Sequence, residues 1–160
     1  MNLIGFGFDS HRFVAGRPLI LGGVHIKHDL GLGGHSDADA LIHAIIDALL
    51  GAAGLGDIGE RFPDTSKKWK DADSTKMLVD VVGELAQMGM FVINCDATVV
   101  AETPKLSAYK MPMRERIADL LGLDISVVSV KAKTAEGMGP IGSGEGVAAF
   151  AVVLIEEEED

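Results

Sequence analysis

Three side chains raise the chemical question: Asp9 and His11, two residues apart, and His43 well downstream. A carboxylate and an imidazole at i and i+2 of a strand lie on one side and can chelate one cation. Alone, Asp-x-His is a weak signal. With His43 the set becomes two imidazoles and one carboxylate, and three protein ligands with an open position mark a catalytic rather than a structural zinc site. The same set describes the facial triad of non-haem iron oxygenases, and spacing does not separate the two. A second group, Lys133, Thr134 and Glu136, stands beside a glycine-rich run from Gly137 to Gly146. Ammonium, hydroxyl and backbone amides receive phosphate, and a lone carboxylate among them suits an oxygen-liganded cation such as Mg²⁺. A long exposed hairpin loop has the same composition, so both readings stand on the residues alone.

His43 belongs to the stretch GHSDADALIHAIIDALLG, Gly34 to Gly51. Leu41, Ile42, Ile45, Ile46, Leu49 and Leu50, with the intervening alanines, cover most of a helix circumference. The pattern predicts a largely buried helix, N-capped by Ser36 or Asp37 and ending near Leu50 with Gly51 past its end. Asp39, His43 and Asp47 recur every fourth residue and stack as one polar stripe. Burying such groups unpaired costs on the order of several kcal/mol. They are therefore either a hydrogen-bonded row around a core histidine or part of a metal site, with Asp39 and Asp47, one turn to either side of His43, as orienting partners. The glycine-bearing loop Gly31 to Gly34 delivers His35 and Ser36 to the helix N-terminus, where free amides and the dipole attract a phosphate.

The remaining elements follow from periodicity. Leu3 to Phe8 reads as a strand with Ile4, Phe6 and Phe8 on one face and Gly5 and Gly7 on the other. Leu19 to Leu21 and Val24 to Ile26 flank Gly22-Gly23 as a tight hairpin. His25 and His28 lie outside any polar stripe and read as solvated. Asp57-Ile58-Gly59 and Phe62-Pro63-Asp64-Thr65 read as turns. A helix runs from Asp73 or Ser74 to about Met88, with Met77, Leu78, Val81, Val82, Leu85 and Met88 on its apolar face and Gly89 closing it. Phe91 to Val100 is a strand, Pro104 ends regular pairing, and Met111 to Leu121 is a helix with Gly122 after it. Val127 to Lys131 and Gly146 to Ile155 are the last strands. The order predicts an α+β sandwich: one mixed sheet with helices on one face and a β-hairpin near the N-terminus. No linker divides it, so residues 1–155 read as a single domain and 156–160 as a solvated acidic tail.

Composition excludes several function classes. At 160 residues, 48% hydrophobic and 24% charged, the chain can bury a real core and is not disordered in bulk. Cys95 is the only cysteine, so there is neither a disulfide framework nor a cysteine zinc site. The N-terminal stretch lacks the basic and apolar regions of a secretory signal, and the longest apolar run, Val147 to Ile155, is too short to span a bilayer. A reducing cytoplasm and no membrane partner are expected. Net charge is −10 with no basic cluster, which argues against nucleic acid as a partner. The closing EEEED carries about half of that charge. An anionic small molecule therefore remains compatible with the body of the chain.

Taken together, Gly7-Phe8-Asp9-Ser10-His11, His35-Ser36-Asp37-Ala38-Asp39, His43-Ala44 and Asp47 to Gly51 form an ordered series. It continues with Gly56-Asp57-Ile58-Gly59, Phe62-Pro63-Asp64, Pro104-Lys105, Lys131 to Glu136 and Gly144-Glu145-Gly146. From Gly5 to Leu154 the sequence resembles the 2-C-methyl-D-erythritol 2,4-cyclodiphosphate synthase family. The resemblance implies conversion of 4-diphosphocytidyl-2-C-methyl-D-erythritol 2-phosphate to the cyclic diphosphate with release of CMP, in non-mevalonate isoprenoid precursor biosynthesis. It implies zinc or a similar divalent ion at Asp9, His11 and His43, and magnesium or manganese at Glu136. His35 and Thr134 would steady the phosphates in the transition state, and Ser36 would contact substrate. The methylerythritol pocket would be formed by Asp57, Ile58 and Gly59 with Phe62, Pro63, Asp64, Thr65 and Ser66. The cytidine side would draw on Ala101, Glu102, Thr103, Pro104, Lys105, Leu106 and Ser107 with Lys133 and Ala135. The two halves would come from neighbouring subunits of a homotrimer. Lys133 and Ala135 stand where threonines are common in the family, and Pro140 and Ser143 where Phe and Arg are common. Two rival readings are weaker. An iron oxygenase leaves Lys133, Thr134 and Glu136 without a task, and the complete ligand set argues against a silent binding module.

Overall fold

A computed structural model describes residues 1–158. Alternating small and large residues carry the first strand further than expected: β1 runs Asn2–Val14, so Asp9 and His11 lie within it. β2 (Leu19–Leu21) and β3 (Val24–Ile26) form the expected hairpin. Gly22 and Gly23 both take positive φ, 60° and 71°, the conformation a two-residue primed turn demands. Then follow β4 (Gly31–Leu32), α1 (Ala40–Ala52), the one-turn α2 (Ile58–Arg61) and α3 (Ser74–Gln87). The chain finishes with β5 (Met90–Val100), α4 (Lys110–Leu121), β6 (Val128–Lys133), the one-turn α5 (Gly139–Gly142) and β7 (Gly146–Glu157). The sheet order is β4-β1-β7-β5-β6, with β5 and β6 parallel and the other pairs antiparallel. This is the α+β, mixed-sheet architecture expected. Among the described residues no helix is long and apolar enough to cross a membrane.

The sheet is apolar on both sides, and only one side is covered. α1 lies across β1 and β7, α3 against β5 and α4 against β6. Val147, Ala149, Ala151 and Val153 of β7, with Cys95, Ala97 and Val99 of β5, are buried beneath them. On β1 the covered side is glycine. A Cβ on Gly5 would stand 1.8 Å from the Ala48 carbonyl oxygen, and one on Gly7 1.9 Å from that of Ala44. The α1 backbone therefore rests directly on the strand. Ile4, Phe6 and Phe8 point the other way and are exposed, with Phe91 and Val152 among the exposed apolar residues.

Several boundaries differ from expectation. α1 is capped by Asp39, not by Ser36 or Asp37, because Ala38 at φ 58° breaks the helical path just before it. The Asp39 carboxylate accepts from the Ile42 N–H at 3.0 Å and from the turn amides of Gly22 at 2.9 Å and Gly23 at 2.7 Å. Asp37 instead caps across to the start of α3, accepting from the Ser74 N–H and hydroxyl. The helix also runs through Gly51. It closes at Gly54, φ 70°, with Leu55 N–H on Leu50 O and Gly54 N–H on Gly51 O, a Schellman arrangement one turn later than expected. Met88 is exposed and does not join the apolar face of α3. β7 continues past Ile155 because Glu156 and Glu157 pair with Phe91 and Met90, so the expected acidic tail begins as strand. Its last two residues, 159 and 160, lie outside the described ones.

Asp39 makes a testable prediction. Burial raises its carboxyl from 3.8 to about 6, against the opposing effect of the three amides it accepts from. The folded state thus favours the protonated form. That stability is complete below about pH 4 and is lost as pH rises through 6, a change on the order of 3 kcal/mol. Asp39→Asn does not titrate. The stability difference between wild type and variant, read from urea midpoints, is expected to vary across pH 4 to 6 and to be flat above 7. A difference independent of pH across that window would show that Asp39 is ionised throughout.

Candidate active site

The glycine contact between β1 and α1 brings three donors together. His43 of α1 places Nδ1 2.9 Å from Asp9 Oδ2, and His11 of β1 places Nε2 2.8 Å from the same oxygen. The two ring nitrogens are 3.3 Å apart. One ligand atom from each of the three residues lies within 4.8 Å of the others.

The far side of each ring sets its tautomer. His11 Nδ1 sits 2.7 Å from the Gly33 carbonyl oxygen, so it carries the proton and Nε2 presents a lone pair. His43 Nε2 is 2.7 Å from Ser74 Oγ and 3.1 Å from Ser36 Oγ. Ser74 gives its own hydroxyl proton to Asp37, so it accepts from His43 Nε2–H and leaves Nδ1 unprotonated. Two lone pairs and a carboxylate oxygen then converge on one point. Such an arrangement is stable only around a cation, a proton or a metal. Electrostatics agree. Burial alone would raise Asp9, yet hydrogen bonds and charge from His11 and His43 hold it down at about 2. Burial alone would lower His11, yet Asp9 overrides it and raises it. Nitrogen and oxygen donors of this kind fit a divalent ion with an open side.

That open side faces a cavity of about 500 Å³. It is lined by the triad together with His35, Ser36, Ile58, Gly59, Phe62, Pro63, Asp64 and Thr65, so most of the residues expected at the methylerythritol end are brought to the triad. His35 Nε2 is 2.8 Å from the Ser66 carbonyl oxygen, which ties Ser66 to the wall from behind. Asp57 caps α2 through the Glu60 N–H and does not line the cavity. Two expectations are corrected. Asp39 and Asp47 do not orient His43 through their side chains: Asp39 is spent on α1 and the hairpin, and Asp47 accepts from the Ile58 N–H. Serine hydroxyls orient the ring instead. Ser74 reads from sequence only as a helix cap, and nothing in its spacing links it to His43. Trp69 and Met77 also line the cavity and were not anticipated. As the chain's only tryptophan, in a polar glycine-rich stretch, Trp69 was the available clue.

The second expected group forms a separate cavity of about 250 Å³. Ala101, Glu102, Pro104, Lys105, Leu106, Ser107, Lys133 and Thr134 line it, with Lys110 and Ala132 in addition. Thr103 precedes a cis peptide to Pro104. Glu102 Oε1 accepts from the Ala135 N–H at 2.8 Å and the Gly137 N–H at 3.3 Å, pinning the following loop. Glu136 is exposed at φ 53°, and its N–H meets Thr134 Oγ1 at 3.2 Å. The two cavities share no lining residue, and Glu136 lines neither. Within one chain, then, Glu136 and Thr134 do not join the triad. Cys95 is buried and its thiol is pushed up to about 12 by burial, so it is no nucleophile.

Comparison with known proteins agrees with the geometry. A 2-C-methyl-D-erythritol 2,4-cyclodiphosphate synthase from Symbiobacterium thermophilum is 58% identical over 153 residues, 96% of this chain and 98% of that protein. Among solved structures, the bifunctional IspDF from Campylobacter jejuni superposes at TM-score 0.94 with 44% identity, covering 99% of this chain and 43% of that longer one. A 2C-methyl-D-erythritol-2,4-cyclodiphosphate synthase in its CDP-bound form superposes at 0.88 with 37% identity, covering 96% of this chain and 99% of that one. The YgbB family pattern matches residues 2–156, and with ligand triad, cavity and fold in accord, the chain belongs to the YgbB family.

Proposed function

We propose that the protein converts 4-diphosphocytidyl-2-C-methyl-D-erythritol 2-phosphate to 2-C-methyl-D-erythritol 2,4-cyclodiphosphate and CMP. The reaction is an intramolecular phosphoryl transfer in non-mevalonate isoprenoid precursor biosynthesis, in the cytoplasm. The observation that carries this reading is the convergence of His11 Nε2, His43 Nδ1 and Asp9 Oδ2 at the mouth of a cavity of about 500 Å³. The names of the relatives support it.

Asp9, His11 and His43 would hold zinc or another divalent ion and Glu136 magnesium or manganese, and such ions would supply charge neutralisation for a diphosphate. The substrate's 2-phosphate is already ionised at neutral pH, so no side chain need act as base. What the residues supply is position. His35 donates Nε2–H to the Ser66 carbonyl, which fixes the ring at the cavity wall; Nδ1 then accepts from a phosphate hydroxyl, or as the imidazolium donates to a phosphate oxygen. Phe62 and Trp69, ring centroids 4.8 Å apart and edge to face, wall the end suited to the carbon skeleton. Lys105, Lys110 and Lys133 line the other cavity around Ala101, Pro104 and Leu106. That combination suits a phosphorylated nucleoside: ammonium groups for the phosphates and a small apolar wall for the base. Thr134 adds a hydroxyl that can donate to a phosphate oxygen.

The two cavities are taken as halves of one site, completed between neighbouring copies of this single-domain chain in a homotrimer. The exposed apolar face of β1 supports an assembly of this kind. Complementation tests it. His43→Ala and Glu136→Ala should each be inactive alone. Mixed one to one, dissociated and reassembled, they leave about a quarter of the sites with both halves intact, so about a quarter of the activity should return. A mixture as inactive as its parts would mean that each chain uses its own Glu136, and an active Glu136→Ala would mean that the site does without it.

A further inference from the structure

Within the four residues Gly33 to Ser36, Gly33 and Gly34 touch the His11 imidazole and Ser36 that of His43. The Gly33 carbonyl accepts from His11 Nδ1–H. Gly34 lies against the His11 ring so closely that an added Cβ would stand 3.0 Å from Cε1 and 3.2 Å from Nδ1. Ser36 Oγ meets His43 Nε2. This segment is neither helix nor strand, so its position is set by bonds from elsewhere. Backbone supplies two: Gly33 N–H to Arg12 O at 2.8 Å and Asp71 N–H to His35 O at 2.8 Å. His35 adds its own, Nε2 to the Ser66 carbonyl at 2.8 Å, and the carbonyls of Gly34 and Ser36 are held by a single side chain. Arg17, in the turn between β1 and β2, donates from Nη1 to the Gly34 carbonyl at 2.6 Å and from Nη2 to the Ser36 carbonyl.

We infer that Arg17 is a positioning residue for the cation site, clamping the segment that aims His11 and His43. The planar guanidinium fork spans two carbonyls two residues apart, which a lysine or glutamine does not reproduce. Arg17 does not line the 500 Å³ cavity, so it acts through the segment and not on the substrate. Gly31 permits the geometry: a Cβ there would stand 2.3 Å from the Arg17 carbonyl oxygen, so its absence lets the Arg17-Pro18 backbone lie against β4. The inference rests on the divalent-cation reading of the triad.

Its sign separates it from simple electrostatics. A nearby guanidinium repels a cation, so removing it would tighten metal binding if charge were all that mattered. Loss of the clamp weakens binding, because groups that orient metal ligands typically contribute about 10- to 100-fold in affinity. The experiment is chelator competition with Zn²⁺ on wild type, Arg17→Ala and Arg17→Gln, with Co²⁺ spectra at saturation. Arg17→Ala is expected to bind Zn²⁺ about 10- to 100-fold more weakly and to alter the Co²⁺ ligand-field bands. Arg17→Gln removes the charge and keeps an N–H donor too short to bridge both carbonyls. It is expected to lose affinity to a smaller degree, and it carries the test should the alanine variant not fold. Unchanged or tighter binding in a folded variant overturns the inference while leaving the triad intact. A wild-type protein that takes up no divalent ion overturns the cation reading, and this inference with it.

Discussion

His43→Ala is expected to lose bound divalent ion and to release CMP on the order of 10³-fold more slowly, with the fold retained. The size follows from where His43 sits. It supplies one of three donors, and its Nε2 anchors a relay through Ser74 to Asp37. Deletion therefore removes the ligand and unfastens the outer partners. The fold survives because α1 buries ten other residues, most of them fully. Metal analysis of purified protein and a CMP assay check the two halves separately. Full zinc occupancy in the variant would strike His43 from the ligand set.

Gly7→Ala is expected to do comparable harm from outside the ligand set. Its new methyl would lie 1.9 Å from the Ala44 carbonyl oxygen, which is backbone and cannot swing aside. Restoring ordinary contact requires α1 to retreat by more than an ångström. Overpacking of this kind costs about 3 kcal/mol or more. The retreat also carries His43 away from Asp9, and a misplacement near 1 Å costs about 10²-fold in rate. Thermal melts and the CMP assay report the two effects. Wild-type stability in Gly7→Ala would show that the helix has room the structure does not display.

Much of this site was legible in the sequence, for identifiable reasons. Asp9 and His11 share a strand face by period, and the 3.6-residue repeat put His43 on a buried helix. Turn chemistry at Gly22-Gly23 and helix closures at Gly89 and Gly122 were equally local, and the structure has them. What escaped was non-local. Asp39 and Asp47 share a stripe with His43, yet the hairpin amides and Ile58 N–H claim them first, because an unmet buried N–H is costly. Ser74 reaches His43 only once α3 is docked beside α1, and no spacing rule encodes that docking. The strand read as ending at Phe8 runs on to Val14, since β7 supplies partners as far as Arg12 and β4 takes the rest. The residues with Lys105 and Lys133 line a cavity apart from the triad, a separation that periodicity does not encode.

The glycine face of β1 has a consequence for anyone recoding this chain. Under β1 there is no slack to fill: every carbon added at Gly5 or Gly7 meets helix backbone, so gap-filling substitutions, a common route to a tougher protein, have nowhere to go. Ile4, Phe6 and Phe8 across the strand meet no helix, so changes there spare the fold of the single chain and act on the proposed assembly. Sensitivity along these residues should therefore alternate with a period of two, between folding of one chain and association of several.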